Sequence, residues 1–420
     1  MRKSAVALTA AVAAALLAMP APPWAAAVRE SWGQAAFFRP PVNVSRSSFA
    51  SRLARTSPRS LVLDAQGPAY LIWVETVPHT GGTAHELALS QFLVGAGWDT
   101  LVPVGRWEGE PSTEPATAID QNHALHLVWL EQQAAANQVK SLQFNLLTGK
   151  ASEAISISES GHNAADPAVA VEADGRVNVI WSEIADGQSV LRHRWYAAAG
   201  WGPATTVPTG PGTGAFSPDL AGDAWGYLHL VWTRGVPAGS IPVYARRSPN
   251  GEWGPPESLA AERPEWFSGP PVVSVGEDRV WVAWAESDGK ESRVMTRVRT
   301  GGRWSTARSP SRPGVNAEQP SAAVDAWGTL HLVWLDQSPA STVLPTAIAY
   351  SSCTTGDTVF AEPRLLTPTG PGPFVNPTIA CDESGRVLAA WVDQGVGGDI
   401  FCRSGVAGFT ALAPEFWHRP

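Results

Sequence analysis

Short apolar runs that end in tryptophan return at regular intervals along this chain: Tyr70-Leu-Ile-Trp73, His126-Leu-Val-Trp129, Asn178-Val-Ile-Trp181, His229-Leu-Val-Trp232, Trp281-Val-Ala-Trp284, His331-Leu-Val-Trp334 and Leu388-Ala-Ala-Trp391. The tryptophans lie 56, 52, 51, 52, 50 and 57 residues apart. A proline stands fourteen residues ahead of each tryptophan, fifteen in the first copy: Pro58, Pro115, Pro167, Pro218, Pro270, Pro320 and Pro377. Between the two columns sits an acidic residue and a turn often closed by glycine, as in Asp223-Ala-Trp-Gly226 and Asp382-Glu-Ser-Gly385; the fifth copy, Gly276-Glu-Asp278, departs from this. Asp bonding its own turn and Gly taking a positive φ is hairpin chemistry.

After each tryptophan an alternating stretch follows, such as Val243-Tyr-Ala-Arg-Arg247, and then a segment opening on an aromatic at Trp98, Trp201, Trp253, Trp304, Phe360 or Phe409. Each period of about fifty residues therefore holds four short strands, the size of one propeller blade. The tryptophan strand is apolar at consecutive positions, so both of its faces must be buried, which seven radially arranged blades achieve and a lone blade does not. The expected fold is all-β, a seven-bladed β-propeller of four antiparallel strands per blade, in a single domain over residues 28–420. Two segments compete to complete the seventh blade: Trp32-Gly-Gln-Ala near the start and the stretch from Phe409 to Phe416 near the end.

Composition changes the picture at the N-terminus. Arg2 and Lys3, the small apolar stretch to Met19 and Ala25-Ala26-Ala27 read as a secretory signal over residues 1–27, cleaved before Val28. Beyond it no run is long and apolar enough for a membrane span, and the expected protein is secreted or extracellular, with association to the cell surface an option. Without the signal, 28 basic residues face 38 acidic ones, which argues against nucleic acid as a partner. Cys353, Cys381 and Cys402 form no disulfide framework; a Cys381–Cys402 bridge would join non-neighbouring strands of one blade. A monomer is expected.

Two columns offer candidate chemistry. Two residues past each tryptophan stand Glu75, Glu131, Glu183, Arg234, Glu286, Asp336 and Asp393, expected on one face around the channel mouth. Either each carboxylate accepts backbone N–H bonds where a turn begins, or together they make an acidic mouth for a cation such as calcium, or for a cationic or polyhydroxy ligand. Ahead of the proline column, in loops expected on the same face, stand Trp107, Phe216, Trp266, Phe267 and Phe374. Rings beside carboxylates suit sugars, whose C–H faces stack while hydroxyls donate; the alternative is that the rings fold back over the blade ends. His126, His229 and His331 fall inside second strands and read as packing residues, and Trp225 and Trp327 as surface residues of hairpins on the opposite face.

The unit Pro-x4-Asp-x2-Gly-x-Leu-His-Leu-Val-Trp, followed by a strand, a Gly-Trp turn and another strand, resembles the repeat of sialidase-like propellers, including those with Asp-box (BNR) turns. Remnants of such turns are Ser248-Pro-Asn-Gly-Glu-Trp253 and Arg299-Thr-Gly-Gly-Arg-Trp304. The resemblance implies the blade and leaves the activity open among glycosidases, polysaccharide lyases, lectins and scaffolds. A catalytic sialidase would need an arginine in a Phe/Tyr-Arg-Ile-Pro motif, and Phe38-Arg-Pro-Pro41 lacks that register. With no nucleophile elbow, phosphate loop or zinc motif, no cofactor is called for. The expectation is a secreted, non-catalytic propeller binding a glycan or protein on its loop-rich acidic face; the alternative is a carbohydrate-active enzyme, a sialidase-like hydrolase or a polysaccharide lyase.

Overall fold

The computed structural model describes residues 37–406 apart from 48–49, 65–66, 81, 100, 109–114, 133–135, 160, 338–345, 355–358 and 368–372. Residues 1–27, expected to be a signal, and the stretch from Phe409 to Phe416 lie outside the described residues. The fold is a seven-bladed all-β propeller: seven antiparallel sheets follow one another along the chain, and the one helical element described is a single 3-10 turn at Gln394–Val396. Blade three shows the plan, with an inner strand Ala164–Val171, a second strand Val177–Ala185, a third Gln188–Ala197, and an outer edge of two short pieces, Gly200–Trp201 and Thr205–Thr206.

The blade seams explain the tryptophan column. All seven tryptophans are buried, at no more than 2% exposure. Each packs on the blade before it: Trp129 joins Ile72 and Leu87 of blade one, Trp181 joins Val128 and Val139 of blade two, and Trp232 joins Ile180 and Leu191 of blade three. The series continues with Trp284 on Val231 and Tyr244, Trp334 on Ala283 and Val294, and Trp391 on Val333 and Ile348. Trp73 then packs on Leu388 and Ile400 of blade seven, so the last seam is built like the rest. Truncating such a side chain to alanine costs about 3 to 5 kcal/mol.

Closure comes from the N-terminal side. Phe37–Phe38 and Val42–Asn43 pair antiparallel with Asp399–Val406, supplying the outer edge of blade seven directly after the Trp32-Gly-Gln-Ala segment. Asp399 fastens this join, accepting from Asn43 Nδ2 at 2.7 Å and Ser45 Oγ at 3.0 Å. Phe38 meets Tyr350 of blade six edge to face, with centroids 5.0 Å apart. Cys381 and Cys402 lie on strands separated by Arg386–Asp393, and none of the three cysteines is in a disulfide.

The hairpin between first and second strands holds the turn column. Asp223 Oδ1 accepts the amides of Trp225 and Tyr227, and its Oδ2 meets His229 Nε2 at 3.1 Å. His229 Nδ1 in turn reaches the Tyr244 hydroxyl at 2.8 Å. The same Asp–His–Tyr chain recurs, fully buried, as Asp325, His331 and Tyr350. Burial alone would raise the Asp223 carboxyl, but the bonds from His229 and the turn amides together hold it below the usual range. In blade two, His123 takes φ +58° where other copies use glycine, and its Nδ1 bonds Asp64 of blade one at 2.8 Å. The repeated histidines thus brace hairpins. Trp225, at 71% exposure, and Trp327, at 49%, lie on the surface of these hairpins.

His193, on the third strand of blade three, is buried against Trp253 of blade four and bonds Asn178 at 2.9 Å. Burial first, and then the positive charges of Arg247 and Arg176, push its pKa down from 6.5 to about 3. The unfolded chain therefore binds a proton that the folded chain refuses between those two values. Stability from this site is complete above pH 6.5 and is lost as pH falls toward about 3. Urea unfolding of His193→Gln should show a shallower fall in stability between about pH 7 and about pH 4.5 than the parent chain. Parallel pH profiles would contradict the assignment.

Candidate functional site at the channel mouth

Among the described residues, those before the column prolines, and not those two past the tryptophans, stand around the channel axis. Ser57, Asp166, Ser217, Gln319 and Asn376 take φ values of 43°, 52°, 47°, 52° and 52°. Blade five has Gly269 at this place, and Glu114 of blade two lies outside the described residues. Proline denies its predecessor the right-handed helical region, and in blades three, four, six and seven the ladder shifts register here, a bulge that re-aims the side chain. A non-glycine residue held at positive φ costs about 1 kcal/mol or more, and the ring offsets this with bonds between blades. Asp166 Oδ2 accepts the Ser217 amide at 3.0 Å, Gln319 Oε1 accepts the Asn376 amide at 2.9 Å, and Asn376 Nδ2 donates to the Leu53 carbonyl at 3.2 Å.

One level below, an ion pair spans the channel. Arg59 of blade one grips Asp219 of blade four through Nε at 2.8 Å and Nη2 at 2.9 Å. Asp219 also accepts from Ser57 Oγ and the Val273 amide, both at 2.8 Å, and Arg59 Nη2 donates to the Val273 carbonyl at 2.6 Å. All seven inner strands line the cavity of about 300 Å³ that contains this pair, so the pair ties three blades together across the axis. The other copies hold Ala116, Ala168, Pro271, Ser321 and Thr378 at this position, so two unlike charges among small residues were the signal that sequence reasoning passed over.

Above the ring, between blades one, six and seven, opens a pocket of about 410 Å³ lined by Ser51, Arg52, Arg55, Gln319, Asn376 and Gln394, with Leu53, Val375 and Val392 as its apolar part. Its polar lining is hydroxyl, guanidinium and amide, able to donate to and accept from a polyhydroxy ligand.

The carboxylate column has other partners. Strand alternation puts each residue on the same face as the tryptophan two before it, and the indole N–H needs an acceptor. Trp73 Nε1 donates to Glu75 at 2.9 Å, Trp181 Nε1 to Glu183 at 3.1 Å, and Trp334 Nε1 to Asp336. Glu75 also accepts from Ser47 Oγ, and Glu183 from His162 Nδ1 at 2.8 Å, a bond that raises the half-exposed imidazole above its usual pKa. Burial pushes the Asp336 carboxyl up against the pull of its indole. Elsewhere the column is engaged differently, and the indoles of Trp129, Trp232 and Trp284 have no partner among the described residues. Glu131 faces Lys140 at 3.4 Å, Arg234 replaces a carboxylate and donates to Ser258 at 2.8 Å, and Glu286 is held by Arg263 and Arg293 at 2.7 Å each. Asp393 caps the 3-10 turn through the Gly395 amide. None of the seven lines the channel cavity or the mouth pocket.

The aromatics divide. Trp107 was expected in a loop but lies within the strand Val102–Glu108, buried and stacked on Trp129 at 6.0 Å; it fills the seam between blades one and two. Phe374 is buried as well, whereas Phe216 and Phe267 are 39% and 56% exposed. Trp266 is half-buried under the guanidinium of Arg263, 3.7 Å from its ring centre.

No family model and no curated protein matches this chain. A protein of unknown function from Dyadobacter fermentans is similar in structure, at 11% identity over 70% of this chain and 94% of its own, with a TM-score of 0.52. The likeness is one of fold. Solved structures similar to this chain also include a Hadza microbial sialidase, at 12% identity over 79% of this chain and 78% of its own with a TM-score of 0.46, and the Penicillium chrysogenum alpha-L-arabinanase complexed with arabinobiose, at 12% identity over 70% and 92% with a TM-score of 0.49.

The indole contacts separate two members of the column. Glu183→Leu should lose about 1 to 3 kcal/mol in chemical denaturation, since it strands a buried indole N–H, while Glu131→Leu should change stability by no more than about 0.5 kcal/mol. Equal losses at the two positions would show that the indole bond is not what the column supplies.

Proposed function

We propose that this chain is an exported, non-catalytic propeller that binds a glycan in the pocket at the channel mouth. The observation that carries the reading is the composition of that pocket. Guanidinium groups of Arg52 and Arg55 and amides of Gln319, Asn376 and Gln394 converge over an axis blocked by the Arg59–Asp219 pair. Such groups match sugar hydroxyls, and the blocked axis makes the pocket a binding cup instead of a conduit. Hydrolysis by the usual route needs two carboxyl groups flanking the scissile bond, and the described residues lining this pocket include none. The acidic column supports the seams in this reading and does not contact ligand, and no cofactor or cation enters it.

The test is a glycan array followed by calorimetry on the full chain and on the Arg52→Gln, Arg55→Gln double variant. Binding should fall about tenfold or more in the variant, a loss of about 1.4 kcal/mol, with no new reducing ends or unsaturated sugar released by either protein. Unchanged affinity would move the site elsewhere. Product release by the parent chain would overturn the non-catalytic reading in favour of a hydrolase or lyase.

A further inference from the structure

The mouth pocket is opposite in charge to the protein that holds it. The chain carries a net charge of −8, yet the pocket wall brings Arg52 and Arg55 to one opening, and the described residues lining it include no carboxylate. Acidic groups close to the wall are engaged elsewhere. Glu75, opposite Ser51 in the ladder, takes the Trp73 indole at 2.9 Å, and Asp393, next to Gln394, takes the Gly395 amide at 2.9 Å. Asp166 of the mouth ring is outside the lining and accepts the Ser217 amide at 3.0 Å and the Ser182 hydroxyl at 3.2 Å. Glu318, which precedes Gln319, is outside the lining as well. Arg52 makes no hydrogen bond or ion pair among the described residues, so nothing there balances its charge.

The wall also holds more donors than acceptors. A guanidinium has five N–H donors and no acceptor. Ser51, at 2% exposure, keeps a hydroxyl without a partner among the described residues. Gln319 gives its carbonyl oxygen to the Asn376 amide at 2.9 Å, which leaves its NH2 group uncommitted, while Asn376 gives Nδ2 to the Leu53 carbonyl at 3.2 Å. A neutral sugar would meet these donors and leave two positive charges unbalanced. An anionic oxygen balances charge and accepts several N–H groups at once, in hydrogen bonds about twice as strong as neutral ones. Leu53, Val375 and Val392 add an apolar stretch that the C–H face of a sugar ring covers and a bare inorganic anion does not.

We propose that the ligand of the mouth pocket is an acidic glycan, whose carboxylate or ester sulfate is held by Arg52 and Arg55 while its ring covers the apolar part of the wall. This rests on the glycan reading of the pocket and adds to it the charge of the ligand.

Calorimetry on the full-length protein tests it with three oligosaccharides of equal length: one from polygalacturonate, which carries carboxylates, one from carrageenan, which carries sulfates, and one from arabinan, which is neutral. At least one acidic ligand should bind about tenfold tighter than the neutral one, and raising the salt from about 50 mM to about 500 mM should narrow that gap. Binding of the carboxylate ligand alone identifies a uronate, and of the sulfate ligand alone an ester sulfate. The Arg52→Gln, Arg55→Gln variant should erase the preference without lowering the melting temperature. If that variant melts early, Arg52→Lys, Arg55→Lys decides, since its charge must preserve a preference for acidic ligands. Equal binding of acidic and neutral ligands, with both weakened in the glutamine variant, would overturn the acidic ligand and leave the glycan reading standing. Acidic ligands held as tightly by the glutamine variant as by the parent chain would place the anion site elsewhere and overturn both, as would failure of all three to bind.

Discussion

Everything in this molecule follows from sheets that are apolar on both faces. A second strand such as Leu228-His-Leu-Val-Trp232 is buried along its whole length, so each blade must be covered by a neighbour on either side. Only a closed ring meets that demand for every blade. Seven tryptophans, each seated on the blade before it, recur at the seams, and the seventh seam, with Trp73 on Leu388 and Ile400, closes only when the start and end of the described chain are brought together. The pairing of Val42–Asn43 with Asp399–Val406 does this, and the bonds from Asn43 and Ser45 to Asp399 hold it.

Burying indoles creates a secondary demand, for acceptors. Where a carboxylate sits two residues on and is free to turn inward, as in blades one, three and six, it meets the indole N–H. Where the carboxylate is drawn off by arginines, as at Glu286, or replaced, as at Arg234, the indole is left without a partner among the described residues. Repetition of the acidic residue therefore reflects repetition of the tryptophan. The channel-facing surface is free to differ from blade to blade, and it does: the mouth ring changes identity from Ser57 to Asp166 to Gln319, and the cross-channel pair uses one arginine and one aspartate out of seven equivalent positions.

Blade number, strand count and the tryptophan seams were legible because periodicity survives duplication, and the hairpin turns because Asp and Gly have specific local uses. Ring closure was not, since the segments at Trp32 and at Phe409 carry similar strand patterns and only pairing across more than three hundred residues decides between them. The acidic column was expected around the channel mouth, and its seven residues line neither the channel cavity nor the pocket above it. A carboxylate after a buried tryptophan looks like surface chemistry in a linear reading, whereas the strand's two-residue period sends it back into the seam beside the indole. Positive φ at Ser57, Gln319 or Asn376 has no glycine to announce it, and the contact of Arg59 with Asp219 joins residues 160 positions apart in the chain. Trp107 was misplaced for a related reason: blade one extends its outer edge through Val102–Glu108, longer than the two-residue outer strands elsewhere.

The central claim is that ligand lies on the mouth ring and not on the acidic column. Hydrogen exchange measured with and without a saturating array-positive glycan tests it most directly. Protection should rise in the segments 51–58, 316–320 and 374–377, which carry the pocket and its bulges. Protection confined to the hairpins at 223–227 and 325–329 on the opposite face, with the mouth segments unchanged, would contradict it.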